Sequence, residues 1–142
     1  MQRSIGEIIM TPSGIRNISV EVAATALSAG ANTVVTLPAQ TAILAAGVEV
    51  TEALAGASAL TFDLGTGFDD DAFASAYAMA GKSVGAVAPM AGGMAYFGAS
   101  DTLDITVDTL TGTATGGKLR VWAMVMDVDG KDAAEVDRDY LA

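Results

Sequence analysis

Acidic side chains are the only group in this chain whose number suggests chemistry. The 142 residues include seventeen Asp and Glu against seven Lys and Arg, a net charge of −10, and they include neither His nor Cys. A Ser–His triad, a thiol nucleophile, a disulfide and a zinc site of the usual kind all need imidazole or thiol groups, so the composition excludes them. The carboxylates suit only hard cations such as calcium, which prefer oxygen ligands.

Two acidic clusters have the residue types of a calcium site but lack its spacing. Counted from Asp127, Gly130 is the fourth residue and Glu135 the ninth, whereas a helix–loop–helix calcium loop has its glycine sixth and its bidentate Glu twelfth. We interpret this cluster as a turn followed by a solvated acidic tail. The run Asp69-Asp70-Asp71 is interpreted as a loop or a helix cap. The sequence leaves open whether either cluster holds an ion, and we predict no metal site.

The segment 76–83 fits a relaxed phosphate-loop pattern because it ends in Gly-Lys-Ser. A phosphate loop must lead into a helix whose N-terminus faces the phosphates. The residues that follow contain Gly85 and Pro89 and are poor helix formers, so we interpret the match as coincidental. The acidic charge also opposes binding to nucleic-acid backbones. We therefore predict a non-enzymatic protein with no catalytic residues and no cofactor.

The segment 118–126 predicts a strand with two different faces. One face is aliphatic and consists of Leu119, Val121, Ala123 and Val125. The other begins with cations and ends with large apolar side chains: Lys118, Arg120, Trp122, Met124 and Met126. A strand that is apolar on both faces must be covered on both sides. The cover is either a loop or N-terminal arm of the same chain, or a partner subunit, since Trp, Met and Arg are enriched at interfaces. Arg120, Trp122, Met124 and Met126 are thus candidate interface residues.

A second candidate contact surface lies in the uncharged stretch 83–100, which is rich in glycine. Its large apolar residues are Met90, Met94, Tyr96 and Phe97. No charged side chain keeps this stretch in water, so it either tucks under the domain or meets another chain.

Alternation of apolar and polar residues recurs along the chain and predicts about eight strands. They are 5–10, 15–22, 32–37, 48–52, 60–64, 94–97, 103–108 and 118–128, with the glycine-rich segment 111–117 as the connection between the last two. Acids followed by alanines in 69–79 are typical of a helix N-terminus and predict one short helix or 3₁₀ turn near 70–79. The predicted fold class is all-β, an antiparallel β-sandwich of jelly-roll-like form.

The chain is long enough for one domain. We predict an N-terminal arm or first strand over residues 1–14, a β-sandwich domain over 15–130 and an acidic C-terminal tail over 131–142. Glu7 stands where a signal peptide would begin its apolar run. The uncharged stretch 22–48 contains Pro38 and many polar residues, which a membrane helix does not tolerate easily. No secretory or membrane-spanning segment is expected.

Several short motifs between residues 60 and 128 resemble one protein family. They read Leu-Thr-Phe-Asp-Leu-Gly-Thr-Gly over 60–67, Phe-Asp-Asp-Asp-Ala over 68–72, Gly-Lys-Ser-Val-Gly over 81–85, Asp-Thr-Leu-Asp-Ile-Thr over 101–106 and Gly-Gly-Lys-Leu-Arg-Val over 116–121. The chain resembles the small head decoration proteins, or cement proteins, of tailed bacteriophages. Similar motifs occur in phage tail and fibre components. Residues 1–14 match nothing in the family.

The resemblance implies a non-enzymatic β-sandwich or jelly-roll present in many copies on a capsid surface, where it clamps neighbouring capsid subunits. Its expected partners are the major capsid protein and further copies of itself in a homotrimer, and neither nucleic acid nor membrane is expected. Its expected location is the virion, after synthesis in the cytoplasm of a bacterial host. The alternatives are a phage tail or fibre component and a β-domain that binds a host surface. Copy number would distinguish a decoration protein from a tail or fibre component. A decoration protein approaches the stoichiometry of the capsid protein, whereas a tail component is far scarcer.

Overall fold

The computed structural model describes residues 14–128, which form six strands in an antiparallel sheet. The strands are β1 (Ile15–Ala23), β2 (Gly30–Leu37), β3 (Thr41–Thr66), β4 (Ala74–Ala78), β5 (Ala95–Phe97) and β6 (Asp101–Asp127), with a 3₁₀ turn at Ala24–Ala26. The strand order is β1-β6-β3-β4; β2 also pairs with β6, and β5 also pairs with β3. The predicted all-β antiparallel class is confirmed, with six strands where about eight were expected.

Strands β3 and β6 pair along most of their lengths and form the backbone of the fold. Near the middle of this strand pair the register shifts several times between Val50 and Ala59. Gly56, Gly112 and Gly117 there have φ values of 89°, 85° and 124°, which residues with a Cβ rarely adopt. Bulges of this kind bend strands and increase their twist. The two halves of the β3–β6 pair contribute to one continuous core, so the bent sheet forms two packed layers.

The core is built from the inward-facing residues of both halves. Ile43, Val48, Leu119 and Val125 from one half are completely or almost completely buried, as is Phe62 from the other. These residues alternate along their strands with outward-facing ones, as expected for sheets that bury a single face. The aliphatic face predicted for 118–126 is confirmed as core.

The prediction of a turn at 111–117 was wrong. Residues 111–117 lie inside β6, and the Gly117 amide donates a hydrogen bond of 2.9 Å to the Glu52 carboxylate of β3. The predicted strands 48–52 and 60–64 are likewise parts of the single strand β3. A glycine at positive φ serves equally in a turn and in a bulge, and only pairing with a partner strand distinguishes the two.

The helix near 70–79 was also wrong. Residues 70–72 form a turn and Ala74–Ala78 form β4, which pairs with β3. The Thr66 hydroxyl accepts a hydrogen bond of 3.0 Å from the Asp69 amide, and the Asp63 carboxylate accepts one of 2.6 Å from the Ala76 amide. These side chains bind backbone amides of the segment for which the helix was predicted. The acids at 69–71 and the alanine-rich residues after them thus form a turn followed by strand β4, which pairs irregularly with β3.

The remaining strand predictions within the described residues are confirmed. Predicted strands 15–22, 32–37 and 94–97 correspond to β1, β2 and β5. The predicted strand 5–10, most of the predicted arm 1–14 and the tail 131–142 lie outside the described residues. Between residues 14 and 128, no helix is long and apolar enough to cross a membrane.

Candidate interface

The outward side of the half-sheet formed by β1, β6 and β3 carries most of the predicted interface residues. Residues that pair directly across antiparallel strands point to the same face. Met126 of β6 pairs with Ile15 of β1 and with Ala42 of β3, and Ala42 pairs with Tyr96 of β5. These four apolar side chains therefore form one row across the sheet. The sequence predicted Met126 and Tyr96 for contact surfaces without indicating that they share a row.

Two further rows extend this apolar surface. Met124 pairs with Asn17, and Trp122 lies between Ser19 and Gly47. The exposed fractions are 49% for Ile15, 60% for Tyr96 and 39% for Met124, while Trp122 and Met126 are half-buried. We call this surface the outer apolar patch, and it comprises Ile15, Tyr96, Trp122, Met124 and Met126. Ile15 was missed by the sequence analysis, although its place in β1, out of phase with Ile18, marks it as outward-facing.

The indole of Trp122 packs against Gly47 of the neighbouring strand. A Cβ added at Gly47 would lie 2.6 Å from Trp122 Cε2 and 2.9 Å from its Nε1. Only glycine leaves room for the ring in this position. The sequence analysis left open whether the same chain or a partner covers Trp122, and Gly47 covers part of the ring within the monomer.

Charged rows border the patch on one side. Arg120 lies 3.4 Å from the Glu49 carboxylate, and Lys118 lies 4.0 Å from that of Glu52. Exposed pairs of this kind contribute little stability, about 0–1 kcal/mol each. Their positions do, however, give the apolar surface a polar rim, which is the usual arrangement of protein interfaces. Arg120, predicted as an interface residue, belongs to this rim.

An open groove of about 490 Å³ adjoins the patch and shares Tyr96 with it. Phe68 and Met94 line the groove and are 93% and 70% exposed. Met90 lies, like Met94, in the connection between β4 and β5 and is 47% exposed. Phe97 also lines the groove but is only 5% exposed and belongs to the core, because it pairs with the buried Thr41. Phe97 is therefore corrected from a contact residue to a core residue, and Phe68 is a groove residue that the sequence analysis missed.

The other half of the sheet carries an acidic outer face. Asp63 is only 8% exposed, and this burial is the main cause of its raised pKa. The neighbouring carboxylate of Asp108 raises the pKa further, while the hydrogen bond from the Ala76 amide lowers it. In the loop, the carboxylates of Asp69, Asp70 and Asp71 lie within 4.8 Å of one another and are exposed. A hydrogen bond with Asp69 raises the pKa of Asp71. These three carboxylates lie exposed on the loop.

Lys82 of the coincidental phosphate-loop pattern lies against an aromatic ring. Its ammonium is 5.7 Å from the centre of the Tyr77 ring, and burial raises the pKa of Tyr77. The residues around Lys82 form a turn that is not followed by a helix, so the described geometry offers no helix N-terminus for a phosphate there.

Comparison with known proteins gives structural matches only. No protein-family model matches the chain, and no curated protein matches it. A chain of the capsid asymmetric unit of cyanophage Pam1 matches with a TM-score of 0.59 and 24% sequence identity, covering 79% of this chain and 84% of that one. A chain of the acid-stable capsid of Helicobacter pylori bacteriophage KHP30 matches with a TM-score of 0.56 and 11% identity, covering 80% and 87%. This fold occurs in phage capsids. At these identities the matches establish the shared fold.

Proposed function

We propose that this chain is a structural virion protein that binds the outer surface of a phage capsid and clamps neighbouring capsid subunits. The fold shared with chains of two phage capsids supports a virion role. The observation that carries the binding role is the outer apolar patch, because monomeric proteins rarely leave a contiguous apolar surface with an aromatic centre uncovered.

The surface has the composition of a contact site. Trp and Tyr are the residues most often found at the energetic centres of interfaces, and Met is also enriched there. A protein that binds the assembled shell and not separate subunits stabilises the shell by mass action. Modest contacts suffice when they are repeated over a lattice.

Two apolar surfaces allow two kinds of partner. The outer apolar patch suits contact with the capsid protein, and the groove around Phe68 and Met94 suits contact with another copy of the chain. Self-association through the groove accords with the homotrimer that the family resemblance implies. This role is non-enzymatic and places the protein on the outside of the virion.

The test uses capsid shells that lack this protein. We expect saturable binding at a copy number close to that of the capsid protein, measured by cosedimentation. A Met124→Glu variant places a charge in the patch and should weaken binding at least about tenfold, since burying an unpaired charge costs several kcal/mol. The matched control is Thr25→Glu, on an exposed turn at the far end of β1, which should bind normally.

Three outcomes would reject the proposal. One is the absence of binding to shells, and another is equal binding by the two variants. The third is a copy number of only a few per virion, which would favour a tail or fibre position instead.

A further inference from the structure

Strand β1 leaves one of its edges unpaired within residues 14–128. It pairs with β6 on one side in a continuous register from Ile15–Met126 to Ala23–Lys118, and it is the last strand on its side of the sheet. The Asp127 amide donates to the Gly14 carbonyl at 2.8 Å, so Gly14 and Asp127 are a hydrogen-bonded pair. In an antiparallel ladder such pairs occur at every second residue. The backbone groups of Asn17, Ser19 and Glu21 therefore point away from β6, toward the open edge.

The other edge strands of this fold are protected against pairing. Strand β2 has a register shift between Thr33 and Val35 and is followed by Pro38. Strand β4 has five residues, with a register shift and Ala76 at a φ of 51°. Strand β5 has only three residues. Bulges, prolines and short length are the devices by which proteins prevent strand addition. Strand β1 has nine residues with no register shift and no proline, so among the edge strands of residues 14–128 it is the one suited to accept a further strand.

Burial along β1 also indicates a missing neighbour. Ile18 and Val22 face the core but remain only partly buried, while their partners on β6, Ala123 and Leu119, are 2% and 0% exposed. The core is thus open along this edge. A strand added beside β1 would place side chains next to Ile18 and Val22 and complete their burial.

The charges next to this edge indicate what kind of strand fits. Glu21 pairs across the ladder with Arg120, whose guanidinium already contacts Glu49, so two carboxylates flank one cation. A Lys or Arg opposite Glu21 on an added strand would balance them. The chain as a whole has a charge of −10, so it attracts a cationic segment at separations within the Debye length of about 8 Å.

We propose that the open edge of β1 receives an extended, cationic segment of the capsid protein, which adds to the sheet as a further strand. This inference rests on the proposed function and names the contact that fixes the protein to the shell. Strand addition supplies affinity through main-chain hydrogen bonds and specificity through alternate side chains. The outer apolar patch, whose rows begin at β1, continues directly onto the added strand.

The test is amide hydrogen exchange of the full chain, free and bound to capsid shells that lack it, read residue by residue after release. In the free protein the amides of Ile18 and Val20 should be protected and those of Asn17, Ser19 and Glu21 should exchange quickly. On the shell, the latter three should slow at least about tenfold. Unchanged exchange at these amides in a shell-bound chain would overturn this inference alone. Failure to bind shells would overturn it together with the proposed function.

Protection of the same three amides in the free protein would also overturn the inference, because the edge would then be covered by the chain itself or by a second copy. A Ser19→Pro variant removes an outward amide and keeps the bonds to β6; it should bind shells at least about tenfold more weakly. The control is again Thr25→Glu, on the exposed turn after β1, which should bind normally. Should Ser19→Pro fail to fold, Glu21→Lys tests the charge match and should weaken binding by a similar factor. Normal binding by Glu21→Lys would refute the cationic partner.

Discussion

Replacing Trp122 by alanine separates the two roles that the structure gives to this side chain. Part of the indole covers Gly47 within the monomer, and the rest lies in the outer apolar patch. A fully covered aromatic side chain buries about 150–250 Å², so a half-buried one loses roughly 75–125 Å² on truncation. At about 25 cal/mol per Å² this corresponds to about 2–3 kcal/mol. The figure is an upper bound, because unfolded chains already bury part of their surface.

A domain stable by about 5–15 kcal/mol survives this loss, so we expect Trp122→Ala to remain folded with a reduced free energy of unfolding. Shell binding should fall as well, by about thirtyfold or more, which corresponds to a loss of about 2 kcal/mol for an aromatic interface residue. Urea unfolding followed by circular dichroism measures the first quantity, since the variant lacks the sole Trp of the chain. Cosedimentation with shells measures the second.

The control for this experiment is Trp122→Phe, which keeps an aromatic ring over Gly47 and should retain most of the binding. An unfolded Trp122→Ala chain would show that the indole serves the core, and the interface assignment would be wrong. A folded variant with unchanged affinity would show that the shell contacts a different surface.

Two further predictions concern the bent sheet and its acidic face. Gly56→Ala should lower the free energy of unfolding in urea by about 2–4 kcal/mol, because its φ is positive and the new Cβ would lie 2.6 Å from the Thr115 amide nitrogen. The control is Gly85→Ala, also at positive φ but with open space around it, which should lower the free energy of unfolding by only about 1 kcal/mol. Equal losses of stability in the two variants would contradict the close strand packing at the bend. Burial raises the folded-state pKa of Asp63 above its ordinary value of 3.8. The protonated carboxyl therefore stabilises the folded state below pH 3.8, and this stabilisation is lost as the pH rises through the folded-state pKa. An Asp63→Asn side chain can still accept a hydrogen bond from the Ala76 amide, but it does not titrate. The variant should therefore show a smaller decrease in the free energy of unfolding from pH 4 to pH 7 than the unmodified chain. An unchanged pH profile of stability would refute this reasoning.

The alternating segments could be predicted from the sequence because their signal is local. A strand with one buried face needs apolar residues at every second position, and β1 and the second half of β6 show that pattern directly. The same pattern identified the two faces of 118–126, and its register placed Trp122, Met124 and Met126 together on the outer side. These results depend on the period of the side chains along one strand and on nothing distant.

The strand boundaries could not be predicted at glycine-rich and acid-rich segments. Residues 111–117 have the composition of a turn, but pairing with β3 keeps them inside a strand. The acids at 69–71 resemble a helix start, but Thr66 and Asp63 bind the nearby amides. In both places two local structures are close in energy, and a hydrogen-bond partner far away in the sequence selects one of them.

The sequence by itself determined that this protein is an all-β domain without thiol or imidazole chemistry, because composition and a two-residue period are properties of the chain alone. Tertiary structure decided which residues share a surface. Tyr96 and Ile15 join the row of Met126, Gly47 accommodates Trp122, and Phe97 turns into the core, only because β5, β3 and β1 align in one register. Register is a relation between distant segments, and it is set by the packing of the whole sheet.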